Sequence, residues 1–154
     1  MDFNELVTAV QSLNTEDAFR PRLNHDQWRI LSQYLSHHEI RSGDLLIAQG
    51  DADRAMYLLA RGTLQVFVTG APAGSRIAIL RPGSIAGELG LFVDGPRAAN
   101  VEAMTPCEVW ALRGPRLEEL GQRVPALALE VVRAAGAVMA VRMRASLAKQ
   151  APMI

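Results

Sequence analysis

The feature that most constrains the fold is a run of glycines spaced through residues 38–112. Gly43-Asp44, Gly50-Asp51, Gly62, Gly70, Gly74 and Gly83 each fall between short apolar runs. That is the punctuation of turns between strands. The runs are Leu45-Leu46-Ile47, Met56-Tyr57-Leu58-Leu59, Leu64-Gln65-Val66-Phe67-Val68, Ile77-Ala78-Ile79-Leu80 and Val109-Trp110-Ala111-Leu112. Leu64, Val66 and Val68 alternate with Gln65 and Phe67, which suits a strand with one face in a core. Many short strands at this spacing predict a β-sandwich or barrel.

The flanks read differently. Leu6, Val10 and Leu13 share one helical face, and Pro21 breaks the segment. Asn24 is a good N-cap for a second helix carrying Trp28, Leu31 and Leu35 on a stripe. After the strands, Pro115 and Pro125 each stand where a helix can begin. Only Gly136 interrupts the stretch from Pro125 to Lys149, which predicts one long helix. At 154 residues the chain makes one domain with three parts. They are an N-terminal helical segment (1–36), a β-barrel (37–112) and C-terminal helices (113–154). The fold class is mainly β with flanking helices.

Net charge is zero, so the balance advertises neither nucleic acid nor an acidic membrane surface. Fifteen arginines stand against Lys149 alone, for the most part a sign of a GC-rich, bacterial genome. Cys107 is the single cysteine, which excludes an internal disulfide and a thiolate metal cluster. It lies in an apolar stretch, as an inert buried thiol does. The N-terminus lacks the basic region and apolar run of a signal peptide, and no stretch approaches the ~20 apolar residues of a bilayer span. A cytoplasmic protein is expected.

The chemistry concentrates between Gly87 and Val101, Gly-Glu-Leu-Gly-Leu-Phe-Val-Asp-Gly-Pro-Arg-Ala-Ala-Asn-Val. It reads as a strand end, a glycine, a short helical turn, a Gly-Pro corner and a new strand headed by Arg97. Gly87 and Gly90 flank Glu88 and let a ligand approach the backbone. A phosphate at the first turn gains ~0.3–1 kcal/mol from the aligned amides. Arg97 supplies a fork of charge-assisted donors, each worth about 1.5–3 kcal/mol. Glu88 repels an anion and is better explained as the acceptor for a sugar hydroxyl. One acid and one base across a glycine-lined turn suit a ribose-phosphate.

The segment resembles the phosphate-binding cassette of cyclic-nucleotide-binding domains, Gly-Glu-Leu-Ala/Gly-Leu, a loop, then Arg-Ala/Ser/Thr-Ala and a valine. The resemblance extends over about residues 35–150, with Gly43, Gly50, Gly62 and Gly83 at the family's turns, and implies a jelly-roll barrel. It implies that Gly87, Glu88, Leu89, Gly90, Arg97, Ala98 and Ala99 form the ligand site. Glu88 takes the ribose 2′-hydroxyl, Arg97 the cyclic phosphate, and the amides of Gly90 and Ala98 complete the cradle. Ala98 stands where cGMP-selective relatives of the kinase type often carry threonine, so cAMP is the expected ligand and cGMP the second choice. Ala86 and Asn100 depart from the usual larger apolar residue and threonine, which bears on pocket shape and base preference.

In this family the last helix caps the base or pairs with a second subunit. Leu127, Val131, Ala134, Val138, Val141, Ala145 and Ala148 step as a heptad seam, with Val132, Ala135, Met139 and Met143 beside it. Two stripes suggest one for the barrel and one for a partner. Resemblance to the catabolite activator family implies a homodimer. Arg142 and Arg144 read as solvated ends rather than lids over a base. In the activator family this helix leads into a helix-turn-helix, whereas here the sequence stops at Ile154, so direct DNA binding is not expected. The expectation is a regulator, not an enzyme, that acts through an unidentified protein effector or is a regulatory fragment of something longer, its helices shifting about a hinge at Gly114-Pro115. Two rivals remain. One is an interaction protein that binds cyclic di-GMP or no nucleotide. The other is a metal-dependent cupin enzyme, poorly served by His25, His37 and His38 alone.

Overall fold

The computed structural model describes residues 2–70 and 75–150. Two helices come first, α1 (Phe3–Ser12) and α2 (His25–Ser32). Eight strands follow: β1 (Ser36–Ile40), β2 (Leu45–Ile47), β3 (Ala55–Arg61), β4 (Leu64–Val68), β5 (Ser75–Leu80), β6 (Ile85–Ala86), β7 (Asn100–Ala103) and β8 (Cys107–Arg113). Between β6 and β7 lies a 3-10 turn (Glu88–Leu91), and the chain continues in α3 (Gly114–Arg123) and α4 (Pro125–Gln150). Gly43, Gly50, Gly62, Gly70 and Gly83 all have positive φ, as turn glycines should. Gly74, the remaining predicted turn, lies outside the described residues.

The strands form two four-stranded antiparallel sheets, ordered β1-β8-β3-β6 and β2-β7-β4-β5. Their facing sides enclose one core: Tyr57, Leu59, Ala86, Val109 and Ala111 meet Ile47, Leu64, Val101 and Ala103. The outer side of the first sheet carries a second core. Met56, Leu58, Ala60, Ile85 and Leu112 pack there with Leu6, Val10, Phe19, Trp28, Leu31, Leu120, Leu127 and Val131 from the helical parts. Residues 55–60 of β3 are therefore buried on both faces, which is why the strand reads as an unbroken apolar run. In β4, Leu64 and Val66 face the inter-sheet core, in keeping with the alternation.

Local chemistry sets the helix ends. Asp2 caps α1, accepting from the amide of Asn4. Asn24 forms a capping box with Gln27 at the start of α2. That helix ends at Ser32, so Leu35 reaches the core from the turn before β1 rather than from the helical stripe. Pro115 lies in the first turn of α3, and α4 is the single long helix expected from Pro125.

The heptad seam on α4 is spent inside the molecule over its first half. Leu127, Val131, Ala134 and Val138 are all buried in the outer core, and Ala135 of the second stripe joins them. Among the described residues, no helix is long and apolar enough to cross a membrane.

Candidate functional site

Ala86 ends β6 on the floor of the first sheet, and Gly87 turns the chain with φ of 77°. Its left-handed backbone starts the 3-10 turn that carries Glu88. The chain then passes the exposed Val93-Asp94-Gly95-Pro96 corner and re-enters at Arg97. Glu88 and Arg97 are each only 8% exposed. Buried charges this deep need partners.

Arg97 is held by the barrel. Its Nη1 donates to the Gly87 carbonyl at 2.9 Å and its Nη2 to the Ala55 carbonyl at 2.5 Å. Nη2 also lies 3.4 Å from the Asp53 carboxylate, which accepts from the Tyr57 hydroxyl at 3.0 Å. Burial, and then the hydrogen bond and charge of Asp53, push the Tyr57 hydroxyl pKa up, so the tyrosine stays a donor. The Nε of Arg97 is buried with no acceptor. Two carbonyls and one carboxylate thus fix the guanidinium while donors remain for an added anion. Gly90 is the floor beneath it: a Cβ there would sit 2.8 Å from Nη1. At Gly87 a Cβ would meet the Ala55 carbonyl oxygen at 2.8 Å.

Glu88 is held from outside the cassette. Its Oε1 accepts from Nη1 of Arg142, in α4, at 2.9 Å. The Nε of the same arginine donates to Asp17 at 2.9 Å. Burial would raise the Asp17 pKa, but the hydrogen bond and charge of Arg142, together with hydrogen bonds from Thr15 and its own backbone, hold the carboxyl below its ordinary value. Arg142 is therefore no solvated end, because two acids, one of them buried, draw it inward. Arg144 is exposed, as expected.

The other expected site residues are distributed around these anchors. Leu89 projects outward at 47% exposure, Ala98 is exposed and Ala99 half-buried. The amide of Gly90 donates to the Gly87 carbonyl at 3.0 Å. Without a ligand, this amide closes the 3-10 turn. Asn100 is buried and accepts from the Gln49 amide at 2.9 Å, so its departure from threonine serves the β2–β7 side of the barrel.

Asp17, Asp53, Arg54 and Arg142 complete the surroundings, and no local motif marks them in the sequence. Arg54 donates from Nε to the Gly90 carbonyl at 3.3 Å and pairs with Asp94 at 3.2 Å. Its own carbonyl accepts from the amide of Gly114, the first residue of α3. Among the described residues no three His, Cys, Asp or Glu side chains converge as a metal site would require.

A profile described as the cyclic nucleotide-binding domain matches residues 37–124, more than half of the chain. A cAMP-dependent protein kinase regulatory subunit of Yarrowia lipolytica is 34% identical over 90 residues, 58% of this chain but 23% of the relative. The cAMP-activated global transcriptional regulator CRP of Salmonella typhimurium is 34% identical over 62% of this chain and 48% of its own length. The chain thus spans less than half of each of these relatives. The catabolite activator protein of Thermus thermophilus superposes with a TM-score of 0.74 at 27% identity, over 84% of this chain and 59% of that one. A cyclic nucleotide-binding domain from Methylobacillus flagellatus shares the fold over 99% of this chain and 84% of its own, with a TM-score of 0.83 at 22% identity.

Proposed function

Because the chain belongs to the cyclic nucleotide-binding domain family, we propose that it is a regulatory sensor of cAMP, a binding module rather than an enzyme. The observation that carries the reading is Arg97: a buried guanidinium, fixed by the Gly87 and Ala55 carbonyls, with its Nε lacking an acceptor. Such a group favours a planar, doubly charged-assisted contact with a phosphate. Glu88 supplies the hydroxyl acceptor on the opposite arm. Gly87, Leu89, Gly90, Ala98 and Ala99 shape the space between. Ala98 brings no hydroxyl to a guanine, which favours adenine.

In this reading residues 37–112 receive the ligand, residues 1–36 brace the barrel and residues 113–154 carry the signal to a protein effector. Arg54 is the mechanical link. It grips the cassette at Gly90 and Asp94 and the start of α3 at Gly114. Ligand-driven motion of the cassette therefore pulls on the hinge, and amide exchange in residues 113–149 is expected to change with cAMP. Unchanged exchange there would remove the hinge from the mechanism.

Self-association belongs to the same proposal. Leu129, Val132, Gly136, Met139 and Met143 form a 3-4-3-4 stripe on α4, with Leu129 69% and Met143 60% exposed. That face suits a second copy of the chain. Sedimentation across a concentration series tests it.

Calorimetric titration with cAMP, cGMP and cyclic di-GMP tests the ligand. Micromolar cAMP binding that is lost in Arg97→Ala is the expected result. Binding of cyclic di-GMP alone, or of no nucleotide, overturns the assignment. A stoichiometric transition metal would favour the cupin reading instead.

A further inference from the structure

The bridge between Glu88 and Asp17 is built from three distant parts of the chain. Arg142 spans 54 residues to Glu88 and 125 to Asp17. The loop that carries Asp17 is tied to α4 at two further points. Its Arg22 amide donates to Glu130 at 2.6 Å, and Arg133 donates to the Arg20 carbonyl at 3.4 Å. Phe19, fully buried, anchors the same loop in the outer core. The loop is a strap along α4, and its end nearest the cassette holds Arg142 by its second nitrogen.

We propose that Arg142 is a positioning residue of the ligand site, oriented by Asp17, and that the N-terminal loop is thereby part of the sugar subsite. The inference rests on the nucleotide reading above. Its physical basis is charge. An ionised Glu88 beside an incoming cyclic phosphate is repulsive, and Glu88 is too buried for water to screen it well. Arg142 neutralises it and uses only Oε1, and a carboxylate has about four acceptor positions. A sugar hydroxyl can therefore join Oε2 without displacing the arginine. Asp17 fixes the direction from which the guanidinium arrives, and its ionisation is favoured by the same contact.

A double-mutant cycle on the full chain, read by cAMP calorimetry, tests the assignment. Arg142→Gln is expected to weaken cAMP binding about fivefold to tenfold. Asp17→Asn acts only through Arg142, so it should weaken binding about twofold to threefold in the natural background and not at all beside Arg142→Gln. A residue that merely stabilises the loop would add its effect in both backgrounds. Arg142→Lys keeps the charge but loses the fork and is expected to bind like Asp17→Asn; it also serves if the glutamine variant does not fold.

Tighter binding by Arg142→Gln would mean that the guanidinium blocks the site, equal binding that it contributes nothing, and either result overturns the proposal. Full persistence of the Asp17→Asn effect in the double variant would remove Asp17 from it. If the natural protein takes up no cyclic nucleotide, the functional reading itself falls, and the positioning role falls with it. Uptake of cAMP with a flat cycle overturns the positioning role alone.

Discussion

Glu88 and Arg97 occupy opposite arms of one cassette and are equally buried, yet different parts of the molecule hold them. Arg97 is gripped by backbone carbonyls of the barrel, from residues 10 and 42 positions away. Glu88 is gripped by one side chain of the C-terminal helix, itself tethered to the N-terminal loop. The first support belongs to a rigid sheet buried on both faces. The second depends on where a helix lies. In the proposed site, the arm assigned to phosphate is therefore preformed by the barrel, and the arm assigned to the sugar is where the position of α4 would enter the ligand's binding free energy.

The largest expected effect is at the rigid end. Arg97→Ala should reduce cAMP affinity by about a hundredfold or more, since two charge-assisted contacts are lost. It also removes the guanidinium donors from the Gly87 and Ala55 carbonyls, so denaturant unfolding should show a loss of about 1–3 kcal/mol. Near-natural affinity in this variant would collapse the distinction between the two ends.

Glu88→Gln should weaken cAMP by about tenfold. Its second signature is spatial: amide exchange should rise in the second half of α4 while residues 55–61 stay protected. Equal loosening of both regions would mean that the barrel and α4 open as one unit.

Gly90→Ala sharpens the contrast from the other side. Its Cβ would fall 2.8 Å from Nη1 of Arg97, at the far end of a flexible side chain. The guanidinium must shift, and cAMP should bind several times more weakly, about threefold to tenfold by calorimetry. Exchange in α4 should not move, because Glu88 keeps its partner.

The smallest effect is that of acid. The hydrogen bond from Arg133, then that from the Arg22 amide, hold the Glu130 carboxyl at about 2, against an ordinary 4.5. Asp17 is lowered too: burial raises it, but the hydrogen bond and charge of Arg142 and the hydrogen bonds of Thr15 and its own backbone together outweigh that. Both groups are depressed on folding, so their stabilisation is complete above the ordinary carboxylate range and disappears as pH falls towards their folded values. A thermal unfolding series from pH 6 to about 2 should show this decline, shallower in Glu130→Gln.

The sequence made the cassette legible because its residues are close together: Gly87, Glu88, Gly90 and Arg97 fall within a single turn and its return. Turn glycines made the strands legible for the same reason, each needing a backbone conformation that its own residue type announces. The partners of the two anchors were hidden. Asp53 and Ala55 meet Arg97 only because β3 lies beside the β6 end in the sheet. Arg142 looked like a solvated helix end because its two acids come from residues 17 and 88. The partner of the Gly90 amide was hidden for a subtler reason: a 3-10 turn spends a donor that a longer α-helical first turn would leave free.

Cys107 draws a practical consequence from the inter-sheet core. It is the single thiol, 3% exposed, and burial pushes its pKa up while its one S–H lies within reach of the Thr63 and Thr105 carbonyls. A thiol reagent reaches it only when the structure around it opens. Its labelling rate in native buffer therefore counts how often the barrel opens, and the slowing of that rate by a ligand measures the ligand's grip without any dye or tag.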